Sequence, residues 1–167
     1  ATGMVVTSTL THATPASFIA HVRNRKFDEE IATFFLKTEV DFLAGGGKKF
    51  FDQRANDGRN LIKELQAKGY QINDFSQNAE SATPPDPSKN FIYFSADGDP
   101  AKASEGRTYL APYSAAAAKH LKQRSEKGFF LMIEGSQIDW GGHANNSDYI
   151  VSEVVDFDQT IGKILDF

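Results

Sequence analysis

Apolar positions along this chain recur in two patterns, and the two alternate. Continuous runs rich in Val, Ile and Phe occur at Met4–Thr9, Val40–Leu43, Tyr70–Ile72, Phe91–Phe94 and Phe129–Ile133. Several lack polar interruption, which predicts strands covered on both faces, because a strand with one solvated face would alternate. Between them, Pro15–Asn24, Asp28–Lys37, Asn60–Lys68, Tyr113–Arg124 and Asp148–Leu165 have the three- and four-residue spacing of helices. In the last of these, Ile150, Val151, Val154, Val155, Ile161, Ile164 and Leu165 make one wide apolar face that needs a large surface to cover it. Strand alternating with helix predicts an α/β fold: a doubly wound, mostly parallel sheet with helices on both faces. Two polar stretches with proline and small residues, "SQNAESATPPDPSKN" and "SADGDPAKASEGRTYLAP", read as surface loops. No repeat or linker divides the chain, so residues 1–167 read as one domain or a large part of one.

Composition narrows the partners. A formal net charge of −4 speaks against a nucleic-acid-specific site or an anionic membrane surface, both of which ask for a basic face, and favours cations. With no cysteine, thiolate metal sites, disulfides and cysteine nucleophiles are excluded, so a metal would need His, carboxylate, hydroxyl or carbonyl ligands. No apolar run approaches the roughly 20 residues of a membrane span, and no signal segment opens the chain. The first residues, "ATGMVVTSTLT", lack an initiator Met and enter an apolar run at once, which leads us to expect that the chain begins mid-fold.

In open α/β sheets functional groups gather at the carboxyl ends of the strands. Two stretches fit. In "GFFLMIEGSQIDWGGHANNSDYI", Glu134 ends a strand, and the glycines of "WGG" would let the backbone turn Asp139 and His143 toward one point. Carboxylate with imidazole suits zinc; a carboxylate with hydroxyls suits magnesium. The plainer alternative has Glu134 accepting backbone N–H groups, Asp139 capping a turn and His143 at the surface. In "TSTLTHATPASFIAHVRNRK", Thr14 and Pro15 have the order of an N-cap and a first helical residue. His12 reads there as a loop residue, His21 as packed on the helix and Arg25 as a charge at the helix end. Arg25 has a second reading, since a guanidinium fork matches the paired oxygens of a phosphate. "AGGGKKFF" lacks the order of a phosphate-binding glycine loop and reads as a turn after a strand. "ADGDP" lacks most ligands of a calcium loop, and His120 reads as an exposed helix residue.

Taken together, "MVVTSTLTHATPASFIAHVRNRK", "VDFLAGGGKKFF" and "FFLMIEGSQIDWGGHANNSDYIVSEVVDFDQTI" resemble the alkaline phosphatase family, in that order and over nearly the whole chain. The resemblance implies a phosphate monoester substrate, zinc and magnesium as cofactors, and a transiently phosphorylated serine. It also implies a periplasmic or secreted location, and it is compatible with a homodimer for the complete enzyme. Residue by residue, it makes Thr14 and Glu134 look like magnesium ligands, Asp139 and His143 like ligands of one zinc, and Arg25 like the arginine that grips the substrate phosphate. His12 stands where some members have an acidic residue, and Trp140 where others have lysine or histidine. That pair looks like the one in some cold-adapted bacterial members and lies beside the metals rather than on them. Divalent cations would also explain why carboxylates are tolerated at the end of a buried strand.

The resemblance also implies parts that this chain lacks. Family members carry an Asp-Ser pair upstream of "THATP", the serine being the nucleophile, and an Asp-His-x-His cluster downstream of the final helix. This sequence has no Asp-Ser dipeptide, and its histidines are His12, His21, His120 and His143. The expectation is an internal segment of an alkaline phosphatase, a single partial domain that is inactive alone. The strand at Met4–Thr9 and the last helix would then be partly uncovered. The competing expectation is a non-catalytic domain of the same fold that holds a divalent metal. A relative acting on other phosphate or sulfate esters would not be expected to pair "THATP" with "IEGSQIDWGGH".

Overall fold

Nearly every side chain of β1 (Thr2–Thr9) is buried, which is the signature of a central strand. In the computed structural model, which describes residues 1–77 and 83–167, β1 pairs in parallel with β2 (Phe42–Gly46) and, on its other side, with β5 (Phe130–Glu134). β4 (Phe91–Phe94) lies beyond β2, and β3 (Gln71–Asp74) beyond β4. The sheet order is β3-β4-β2-β1-β5, with parallel pairing throughout. The first polar stretch anticipated as a loop includes residues 78–82, which lie outside the described residues.

Alternate side chains divide the core into two layers. Met4, Val6, Leu43, Ile92 and Phe94 pack with α2 (Asp28–Phe34), α3 (Lys49–Asp52) and α4 (Leu61–Ala67), which contribute Ile31, Phe51, Leu61 and Leu65. On the opposite face Val5, Phe42, Ala44 and Phe91 meet Leu110, Ala117 and Leu121 of α5 (Leu110–Arg124). Both faces are covered by helices, as the uninterrupted apolar runs require.

From β1 the chain moves outward to β2, and after β4 it returns across the sheet through α5 to place β5 on the far side of β1. The winding therefore reverses between β1 and β5. Where two crossovers leave in opposite directions, the carboxyl ends of the strands open into a crevice.

Four local features differ from the sequence expectation. The helix after β1, α1 (Ala13–Ser17), stops well before Asn24; beyond it Ala20 and Val22 still pack on the core, but from Arg23 to Lys26 the chain is polar and exposed and offers no apolar face to continue a helix. Thr14 and Pro15 lie inside α1, and His12 occupies the N-cap without a side-chain cap bond. His120 is 3% exposed rather than solvated. It shares a face with Ala117, Leu121 and Arg124, so its ring stands edge-on to Phe42 at 5.4 Å, and neither ring nitrogen finds a hydrogen-bond partner. One turn on, Arg124 donates to Asp41 at 2.8 Å and to Asn90 at 2.7 Å. Finally, β1 is flanked on both sides, and on its far side β5 forms an edge of the sheet on which Phe130 is 53% exposed.

The glycine triplet closes β2 and begins a turn, as read. A side chain at Gly46 would run into the carbonyl of Gly98 and the ring of Pro100. Without one, residues 96–98 lie against the turn and accept hydrogen bonds from Gly47, Lys48 and Lys49 at 2.8, 3.2 and 3.1 Å.

Candidate metal centre

Glu134 is the last residue of β5 and pairs with Val6 of β1, so its carboxylate stands at the crevice. Ser136 donates to Glu134 Oε2 at 2.7 Å, and its Oγ lies 3.2 Å from Ser8 Oγ. One carboxylate oxygen is thereby held by a short hydroxyl bond, the other making no such bond to Ser136.

Asp139 and His143 do converge, but not through a glycine-freed turn. They lie four residues apart on α6 (Gln137–His143), and one helical turn brings Asp139 Oδ2 to 3.4 Å from His143 Nε2. Gly141 and Gly142 are helical. A Cβ on Gly141 would lie 3.0 Å from Ile150, so this glycine serves the close approach of α6 to α7 (Ser147–Leu165). Both side chains of the pair are open to solvent, at 74% and 81% exposure. Carboxylate oxygen and imidazole nitrogen are zinc-type donors, and their exposure leaves room for more ligands. Among the described residues no cluster of three His, Asp or Glu forms, so the pair fits part of a coordination shell.

The stretch after β1 reaches the same place. The His12 ring stands edge-on to Trp140 of α6, with centroids 5.5 Å apart. Arg25 lies in a turn rather than at a helix end, and its Nη2 is 3.3 Å from His12 Nε2. A guanidinium can only donate, so Nε2 accepts and the ring proton rests on Nδ1, which is buried without a partner. Thr14 is exposed and is the second residue of α1. The structure thus joins Arg25, His12 and Trp140 in one chain of contacts, and Trp140 is the neighbour of Asp139. It joins Asp139 to His143 directly. Thr14 and Glu134 share the carboxyl edge of adjacent strands.

Sequence reasoning missed two polar groups that hold this region. Arg107, 2% exposed in its side chain, pairs with Glu153 at 2.6 Å and Asp156 at 2.7 Å, fastening the loop before α5 to α7. A carboxylate set among Val151, Val154 and Val155 was the available signal for Glu153. Gln137, 1% exposed, bridges β1, residues 100–101 and α7, and no local pattern marks it.

The profile of the family described as alkaline phosphatase matches residues 1–167. Alkaline phosphatase 3 of Bacillus subtilis (strain 168) is 39% identical over 179 residues, covering 100% of this chain and 36% of that protein. The solved alkaline phosphatase of the Antarctic bacterium TAB5 superposes with a TM-score of 0.89 at 40% identity, over 99% of this chain and 48% of that one. A variant of that enzyme with a histidine replaced by glutamate, described with magnesium bound in its M3 site, gives 0.85 at 41% identity, over 99% and 47%. The chain therefore spans less than half the length of these relatives. Similarity along all 167 residues, on a shared parallel sheet, places this chain in the alkaline phosphatase family.

Proposed function

We propose that the full-length protein containing these residues is a metal-dependent phosphomonoesterase. In this reading Thr14 and Glu134 contribute to a magnesium site, Asp139 and His143 to a zinc site, and Arg25 grips the substrate phosphate. The observation that carries it is the meeting, at the β1/β5 crevice, of a carboxylate–imidazole pair with an arginine, linked through His12 and Trp140. The magnesium described in the TAB5 variant supports a divalent-ion site in a close relative.

Bound there, divalent ions supply Lewis-acid polarisation of phosphoryl oxygens and acidify water. Arg25 spends one N–H on His12 and keeps other donors of its planar fork for the paired oxygens of a phosphate. His12 holds that guanidinium in place, and Trp140 backs the imidazole. Ser136 fixes the Glu134 carboxylate by one oxygen. The 167 residues contain no Asp-Ser dipeptide. Alone, they should show no turnover, because phosphoryl transfer needs an activated nucleophile.

The test uses the full-length protein. Asp139→Asn and His143→Ala should each lower zinc content and kcat/KM together, by about tenfold or more. Arg25→Ala should weaken inhibition by inorganic phosphate roughly tenfold with zinc content unchanged, as expected for losing a charge-assisted contact. Wild-type zinc content and turnover in the first two variants would overturn the zinc assignment. Tight metal binding without phosphomonoester hydrolysis in the unaltered protein would instead support a non-catalytic domain of the same fold.

A further inference from the structure

Gln137 opens α6 and is almost wholly buried. A buried primary amide must satisfy one carbonyl and two N–H groups, and Gln137 does so across three separate parts of the fold. Its Nε2 donates to the carbonyl of Thr7 in β1 at 2.8 Å and to that of Pro100 at 2.9 Å, with Ala101 O at 3.4 Å. Its Oε1 accepts from the hydroxyl of Tyr149 in α7 at 2.7 Å. The Gln137 backbone N–H donates to Thr7 Oγ1 at 3.3 Å. Rotating the amide would set its oxygen against carbonyl oxygens, so the partners dictate one orientation.

The anchor points are themselves fixed. Thr7 belongs to β1, which is paired on both sides, and Arg107 donates to Ala101 O at 3.1 Å while paired with buried Glu153 of α7. α6 is seven residues long, and while Gly141 packs its later part on Ile150, Gln137 fixes its first turn by side-chain hydrogen bonds. His143 lies six residues beyond Gln137, about 9 Å along the axis at 1.5 Å per residue. A tilt of about 10° at Gln137 would carry His143 sideways by roughly 1.5 Å, more than a metal–ligand bond accommodates.

We propose that Gln137 is the positioning residue for the Asp139–His143 pair, aiming α6 by clamping its first residue to β1, to residues 100–101 and to α7. This rests on the reading that the pair binds zinc. Gln137 acts through the helix; its hydrogen bonds run to Thr7, Pro100, Ala101 and Tyr149.

The experiment compares Gln137→Ala, Tyr149→Phe and Asp139→Asn in the full-length protein. Zinc affinity is measured by chelator competition, and the visible spectrum is recorded after cobalt(II) replaces zinc. Gln137→Ala should weaken zinc about ten- to hundredfold, the range for groups that orient metal ligands, and should shift the cobalt bands. Tyr149→Phe removes one of the amide's partners with little risk to folding, and should move both readouts in the same direction by a smaller amount. Should Gln137→Ala fail to fold, Tyr149→Phe decides. Wild-type cobalt bands and zinc affinity in the folded variants, alongside weakened zinc in Asp139→Asn, would overturn the positioning role alone. Unchanged zinc affinity in Asp139→Asn would overturn the zinc reading, and this proposal with it.

Discussion

Helices α5 and α7 pack against each other on one side of the sheet, yet the one with the stronger apolar stripe is the less buried. α5 reads "LAPYSAAAAKHLKQR" and buries Leu110, Ser114, Ala117, Ala118, His120 and Leu121. α7 exposes Val151, Val154, Val155, Ile161 and Leu165, and its fully buried residues are Glu153 and Thr160. The alanines let α5 approach β1 and β2 closely, whereas α7 turns its valine-rich face to solvent. An adjacent face of α7, bearing Glu153, meets Arg107. An apolar stripe specifies a face that favours cover; it does not specify which residues provide it. Within the described residues, α7 is fastened by buried charge and α5 by buried surface.

The sharpest way to break this contrast is Arg107→Ala. It strands two carboxylates, one of them fully buried, and should cost about 3–5 kcal/mol in a urea titration, as for breaking a buried pair from one side. A loss under about 1 kcal/mol would mean that packing alone holds α7.

For α5, the test is acid. Burial holds the His120 imidazole below its ordinary value of 6.5, and Arg124 pushes the same way, against Asp41 and Asp86. The folded state therefore binds this proton less readily than the unfolded chain. Stability from neutral His120 should be complete above the ordinary histidine value and should fall as pH drops through the lowered folded value. Replacing His120 with Leu should flatten that acid slope while leaving stability near pH 8 little changed. An unaltered slope would show that other groups set it.

The smallest effect is expected from Val151→Ser combined with Leu165→Ser, at 60% and 81% exposure. In the 167-residue chain these changes should move stability by within about 0.5 kcal/mol each and reduce self-association in sedimentation velocity. A loss well above 1 kcal/mol would mean that the stripe is packed after all.

The inner strands were legible because continuous burial leaves an apolar run, β5 was legible by the same kind of run although it is part exposed, and Glu134 was legible because it ends that run. α6 was not, since two glycines argue against a helix locally, and the contact of Gly141 with Ile150 overrides that propensity. His120 looked exposed among Lys119, Lys122 and Arg124, although its helical register with Leu121 and Ala117 points to the sheet. Arg25 was placed on a helix that ends at Ser17. Donor chemistry and spacing left Asp139 and His143 open between zinc ligands and a turn cap beside a surface histidine, and the family resemblance favoured the first reading. Two partners of Gln137, Pro100 and Thr7, lie 37 and 130 positions away, and no local sequence window contains both ends of such bonds.

Gly46 gives the architecture a consequence for inheritance. Its missing side chain seats residues 96–98, and the same loop presents the Pro100 carbonyl to Gln137. A methyl group there would press on the loop that receives α6, so a lineage could lose the aim of that helix through a change in a strand that never touches it. Beside the lysines that follow it, this glycine would tempt a reader to credit a phosphate. The thing it accommodates is another piece of backbone.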